Sequence, residues 1–146
     1  MNLADLSDKI ATRITSDTGS GGLSEVGGTA TINGVQFDVP IPGTDVPYLI
    51  VTFPECMEHD AFTPDGVIIT VEFELVTDRR QSNFSVDSVR LDRLRSLFHR
   101  WKPTLATGYS AEEMGRITGT TQHDAEQRHY IEQYRIGVWW NTIGPV

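Results

Sequence analysis

The sequence predicts an α+β protein, an antiparallel or mixed β-sheet with an N-terminal helix and a long amphipathic helix packed on one face. Three patterns carry that expectation. Val67, Ile69, Val71, Phe73 and Leu75 alternate with Ile68, Thr70, Glu72, Glu74 and Val76, and a period of two marks a strand with one buried face. Tyr130 to Trp140 repeats it, with Tyr130, Glu132, Tyr134, Ile136, Val138 and Trp140 on one side. Between them Leu91, Leu94, Leu97, Phe98 and Trp101 recur at helical spacing. That greasy stripe needs an apolar sheet face to cover it.

Taken in order, Leu3, Leu6, Ile10 and Ile14 follow Asn2, a good helix cap, and Thr18-Gly19 closes a short amphipathic helix. Seven of the thirteen glycines fall between Gly19 and Gly43, so that window is loop-rich and the core must come from its flanks. Within it Asn33-Gly34 sits between two β-prone runs and predicts a hairpin near 29–38. With so few apolar residues the hairpin is expected to project, as an inter-subunit element centred on Asn33 and Gly34. Tyr48 to Phe53 reads as a compact strand ended by Pro54, and Glu55 to Asp65 as an acidic loop.

Past the long strand, Ser85 is a possible cap for the second helix, which runs to Trp101 before Lys102-Pro103 stops it. Asp87 and Arg90 lie on the leucine side, one turn apart. The expectation is that this turn overhangs the sheet edge, the arginine packing its stem and holding its head in water; the alternative is that both groups meet a partner. Pro103 to Gly115 reads as irregular, with a possible helical turn at Ser110 to Glu113, and Arg116 to Thr121 as a threonine-rich strand.

A chain of 146 residues makes one domain by the usual prior. A net charge of −8 with 12 Lys and Arg argues against holding nucleic acid by phosphate neutralisation. The single Cys56 cannot form an intramolecular disulfide. No apolar run nears the roughly 20 residues that span a bilayer, and Asp5 and Asp8 are unlike a secretory signal. The expected product is a protein of a reducing compartment without a membrane partner.

Metal-ligand atoms occur at Cys56, His59, Asp60, His123 and His129, at a spacing that fits no zinc signature. Gly19-Ser20-Gly21-Gly22 is followed by no Gly-Lys-Ser/Thr, so it is not a phosphate loop. Trp139 and Trp140 point to opposite faces of their strand, one expected in the core and the other free as an interface anchor. No catalytic residue, cofactor or metal site is expected. The open alternative from another class is a small hydrolase or ligand-binding enzyme using His59, Asp60 or His123.

The order of elements resembles a known family. A short amphipathic N-terminal helix, the strand entry Val46-Pro47-Tyr48-Leu49-Ile50-Val51, a long strand running out into polar residues from Glu72 to Arg80, an arginine-rich amphipathic helix and a closing pair of strands are similar to the tail terminator, or tail completion, proteins of tailed bacteriophages, over Leu3 to Trp140. The resemblance implies a single structural domain over 1–146 that assembles in the host bacterial cytoplasm into a homo-oligomeric ring, generally hexameric. Such a ring caps the phage tail tube, ends its polymerisation and joins the tail to the head-tail connector protein. It would be a virion protein of the tail or neck, non-enzymatic, passing DNA without specific binding. Another neck or tail tube subunit is the near alternative. The charge makes Glu55, Glu58 and Asp60 candidates for an acidic lining of the bore, or for a surface facing the tube.

Overall fold

The computed structural model describes residues 3–39, 43, 45–58, 66–80 and 83–140; His59 and Asp60 lie outside them. The fold is α+β. In chain order come α1 (Leu3–Thr15), β1 (Val35–Phe37), β2 (Tyr48–Glu58), β3 (Gly66–Asp78), α2 (Phe84–Phe98), β4 (Tyr109–Ala111), β5 (Gly115–His123) and β6 (Gln127–Trp140). The strands form one mixed sheet in the order β1-β2-β3-β6, with β4 and β5 both on the outer side of β6. Pairing is antiparallel except between β1 and β2.

The alternating residues of the long strands face the core as their period requires. Ile69, Val71, Phe73 and Leu75 of β3 share one cluster with Tyr130, Tyr134, Ile136 and Val138 of β6, and both helices bury their stripes into it: Leu6, Ile10 and Ile14 from α1, Leu91, Leu94 and Phe98 from α2. Phe73 sits at the centre, its ring 4.6 Å from Phe98 and edge-on to Tyr134 at 5.4 Å. The opposite face carries a minor cluster of Tyr48, Ile50 and Val76 among polar side chains: Glu72 accepts hydrogen bonds from Gln133 (3.0 Å) and Thr52 (3.4 Å).

Several local expectations give way to tertiary packing. No hairpin forms at Asn33-Gly34. The Asn33 amide side chain donates to the Val46 and Asp45 carbonyls, its N–H to the Pro47 carbonyl, and the Gly34 carbonyl accepts from Leu49 N–H. These bonds set Val35–Phe37 parallel to β2. Ala30 and Ile32, just upstream, are buried in the main cluster, so the turn signal loses to burial of the residues before it. Nor does β2 end at Pro54. A bulge between Thr52 and Glu55 absorbs the proline and pairing resumes through Glu58, as a bulge permits on an edge; Glu55 and Glu58 therefore stand on a strand. No helical turn forms at Ser110 to Glu113: Ser110 and Ala111 belong to β4, paired with the end of β6, and Glu112 N–H donates to the Gly137 carbonyl.

The second helix starts one residue before the expected cap, with Asn83 Oδ1 accepting from Val86 N–H at 3.0 Å. It stops at Phe98 because Arg100 takes φ 66°. The chain then turns so that Arg100 N–H and Met114 N–H exchange bonds with the Met114 and Trp101 carbonyls. Trp101 still packs edge-on to Phe98, at 5.3 Å.

Candidate functional site

Two buried carboxylates under α2 are the most demanding polar features of the molecule. Asp87 is fully buried, against the expectation that its turn overhangs the sheet. Its Oδ2 accepts from the Tyr130 hydroxyl (2.6 Å) and the Thr77 hydroxyl (3.2 Å) and lies 3.5 Å from the Arg128 guanidinium; its Oδ1 lies 3.3 Å from Arg90. Threonine comes from β3, tyrosine and one arginine from β6, so the site exists only once helix and sheet have docked. Burial, then the Asp87 bond, pushes the Tyr130 phenol well above its usual range. Arg128 also spreads over the Phe84 ring, 4.3 Å from its centroid.

Glu132 is the second, 2% exposed on the core side of β6. Arg95 of α2 donates from Nε at 2.6 Å, and Arg116 of β5 from Nη2 and Nε at 2.7 and 3.0 Å. The two arginines keep about a third of their surface in water (39% and 33%), so this clasp is wetter than the Asp87 one. It borders a cavity of about 110 Å³ lined in part by Gly119, Thr120 and Thr121. A side chain at Gly119 would collide with the Glu132 carboxylate and Arg116, which explains the glycine. Burial, with the neighbouring Glu132 charge, pushes the Tyr134 phenol up to about 12. A carboxylate in the alternating buried register of β6 was the visible signal of this site; what it lacked in the sequence was any indication of which cations would reach it.

A third ion pair ties the glycine-rich segment down. Asp17 accepts from Leu23 N–H (2.8 Å) and from both Arg93 nitrogens facing it, Nε at 2.9 Å. The Arg93 hydrogen bond holds the Asp17 carboxyl below its usual range despite burial. The first two sites lock α2 to the sheet, and the third ties the segment after α1 to α2.

The residues singled out for chemistry are dispersed. Cys56 is exposed on β2, and His123 ends β5, three strands away across β3 and β6 and far along the sheet from it, level with Thr77 where Cys56 is level with Ile69, so the two are about 30 Å apart at the usual strand dimensions. His123 lines an open polar depression of about 340 Å³ with Glu74, Gln122, Asp124 and His129. There His129 lies 3.7 Å from Glu74 through Nδ1 and 3.8 Å from Asp124 through Nε2. Among the described residues no group of three or more His, Cys, Asp or Glu is arranged to hold a metal ion. Glu55 is exposed, as an acidic lining or contact would need. Both Trp139 and Trp140 are half-buried, the first donating to Glu112 at 2.9 Å and the second beside Tyr109 at 6.4 Å, so neither is the core residue expected of one of them. No described helix is long and apolar enough to cross a membrane.

The remaining surface feature is the pair of sheet margins. On β5 the residues from Arg116 to His123 are exposed, including Ile117 at the bulge between Arg116 and Thr118. On the far side β1 stops opposite Val51, while β2 runs on to Glu58.

No protein-family model matches the chain, and no curated protein matches it. Among solved structures the fold is similar to that of a chain from the virion of a native gene transfer agent particle. The TM-score is 0.67 at 16% identity, over 94% of this chain and 96% of that one.

Proposed function

We propose that this chain is a structural virion protein of a phage-like particle, and specifically its tail terminator. In this reading a homo-oligomeric ring, generally of six, caps the tail tube, ends its polymerisation and joins it to the head-tail connector, with DNA passing through unheld. It works by assembly, without catalysis or cofactor. The observation that carries the proposal is the fold likeness to a gene transfer agent virion chain, which runs through nearly the whole of both chains. The order of elements supports it, as do the sheet margins, where among the described residues no strand flanks β2 beyond Val51 or the outer side of β5, since a subunit that works by assembly needs surfaces reserved for its neighbours.

The acidity fits a conduit. With −8 per subunit, a ring whose bore exposes Glu55, Glu58 and Asp60 repels phosphates within a Debye length of about 8 Å at physiological salt. Reversing these three to lysine in the particle is expected to leave tail length correct while DNA delivery slows. Overlong tails with normal delivery would instead put them against the tube.

The deciding experiment mixes the purified chain with polymerising tail tube subunits. Tubes that stop growing and carry an end ring under the electron microscope are the expected outcome. Incorporation along the tube points to a tube subunit, and a stable monomer without effect on tube growth overturns both readings.

A further inference from the structure

Backbone N–H and C=O groups along an open strand edge are a template for another strand, and the two margins of this sheet differ in a way that selects the pairing. β5 draws its strand pairing from β6; its outer side is used at the start, where Arg116 N–H donates to His99 Nδ1 at 3.3 Å, and Ile117–His123 continues beyond that point, exposed. At the other margin, among the described residues, no strand flanks β2 beyond Val51. Gly115 to His123 contains an arginine and a histidine but no carboxylate. Thr52 to Glu58 contains Glu55 and Glu58 and no cation. In a chain of −8 that segregation is informative, because pairing β2 with β2 would set carboxylates together, and like charges directly across a ladder are destabilising.

We propose that β5 of one copy pairs with the Glu55–Glu58 stretch of β2 of the next copy, continuing the sheet from subunit to subunit. Pro54 has no N–H to offer, so the added strand engages after it. The two edges lie on opposite margins of the sheet, one on β2 past the end of β1 and the other on β5 beyond β6, so the contact is heterologous: it closes into a ring or runs on as a filament, and it does not make an isolated two-fold dimer. The closure into a ring rests on the tail-terminator reading; the strand pairing rests on the two edges.

The native cysteine reports on this contact. Cys56 pairs opposite Ile69, while Thr121 and His123 pair opposite Tyr130 and Arg128. Ile69 and Tyr130 both face the helix-covered core, so by strand alternation Cys56, Thr121 and His123 stand on the same side of the sheet. Within one chain Cys56 and β5 are at least about 14 Å apart by strand spacing alone, and Thr121 and His123 lie further still along the sheet, beyond the roughly 7 Å that a disulfide spans between Cα atoms. A bond between them must join two copies.

The experiment oxidises Thr121→Cys and His123→Cys mildly, each sampling a different register, and separates the products without reductant. A ladder of covalent multimers that disappears when Cys56→Ser is added is the expected result; the wild type, with one thiol per chain, cannot form one. Dimers that persist in the Cys56→Ser background would mean β5 against β5 and overturn the proposal. A closed ring under the electron microscope in which neither variant cross-links overturns the pairing while leaving the ring. A ladder formed by open filaments upholds the pairing and removes the capping ring. A stable monomer overturns both.

Discussion

The centre of the sheet and its margins follow opposite rules. β3 and β6 pair without a register shift from Gly66 opposite Trp139 to Asp78 opposite Gln127, covered by helices on the core face. At the margins, β2 and β5 each carry a bulge, and β5 exposes nearly all its side chains. Stability is concentrated where every residue has a neighbour on both sides, and under the proposed function the margins supply the contacts between copies. A substitution should therefore cost folding at the centre and association at the margins, and the size of each effect tests that division.

The largest losses belong at the centre. Phe73→Ala removes a fully buried ring in contact with Phe98 and Tyr134 and is expected to cost about 3–5 kcal/mol in urea unfolding, with Leu94→Ala at about 2–5 kcal/mol. Asp87→Ala should cost a similar amount, about 3–5 kcal/mol, because it strands buried donors and cations. Glu132→Gln should cost less than Asp87→Ala, since Arg95 and Arg116 can turn to water; the reverse order would mean the drier cluster is not the tighter lock.

Next comes the helix cap: Asn83→Ala is expected to lower stability by about 1 kcal/mol, read from the same denaturation curves. The Asp17 clasp is expected to reveal itself through pH. Its folded-state pKa lies below the ordinary value of 3.8, so its contribution is complete above that value and is lost as pH falls through it toward the lower folded value. Thermal unfolding of Asp17→Asn should thus lose less on acidification than that of the wild type. Smallest of all, Thr118→Ala on the outer strand should leave monomer stability within about 0.5 kcal/mol. A loss there as large as at Phe73 would erase the distinction between centre and margin.

The same division governed what could be read from the residues. The two long strands, α1 and the stripe of α2 announce themselves because each buries one face over many residues, so the period is written repeatedly. β1 and β4 have three residues each, too few to show a period, and both form because a neighbouring strand supplies their partners. Asn33 carried a strong local turn signal, and its amide found the carbonyls of Asp45 and Val46 instead. Asp87 was visible on the leucine side of its helix; the convergence of Thr77, Arg128 and Tyr130 on it depends on a strand pairing, Thr77 opposite Arg128, that no local pattern encodes. On the candidate site, the margins were harder to read than the core because which strand ends the sheet depends on long-range pairing, and a threonine-rich strand looks alike at the centre or the edge.

The anchoring of α1 also bears on biosynthesis. Asp5 at its start accepts from Ala106 N–H at 2.8 Å, across 101 residues of sequence, and Arg13 near its end lies over Trp101 and donates to the Leu97 carbonyl. The helix therefore leaves the ribosome well before the groups that hold it. At about 5–20 residues per second it waits on the order of 5–20 s for them. During that interval Leu6, Ile10 and Ile14 have no sheet to cover them, and Asp5, Asp8, Lys9 and Arg13 must keep the nascent segment in solution. The polar face of α1 thus serves twice, first as a guard for a stripe whose partners have yet to be translated and then, through Asp5 and Arg13, as its anchor in the fold.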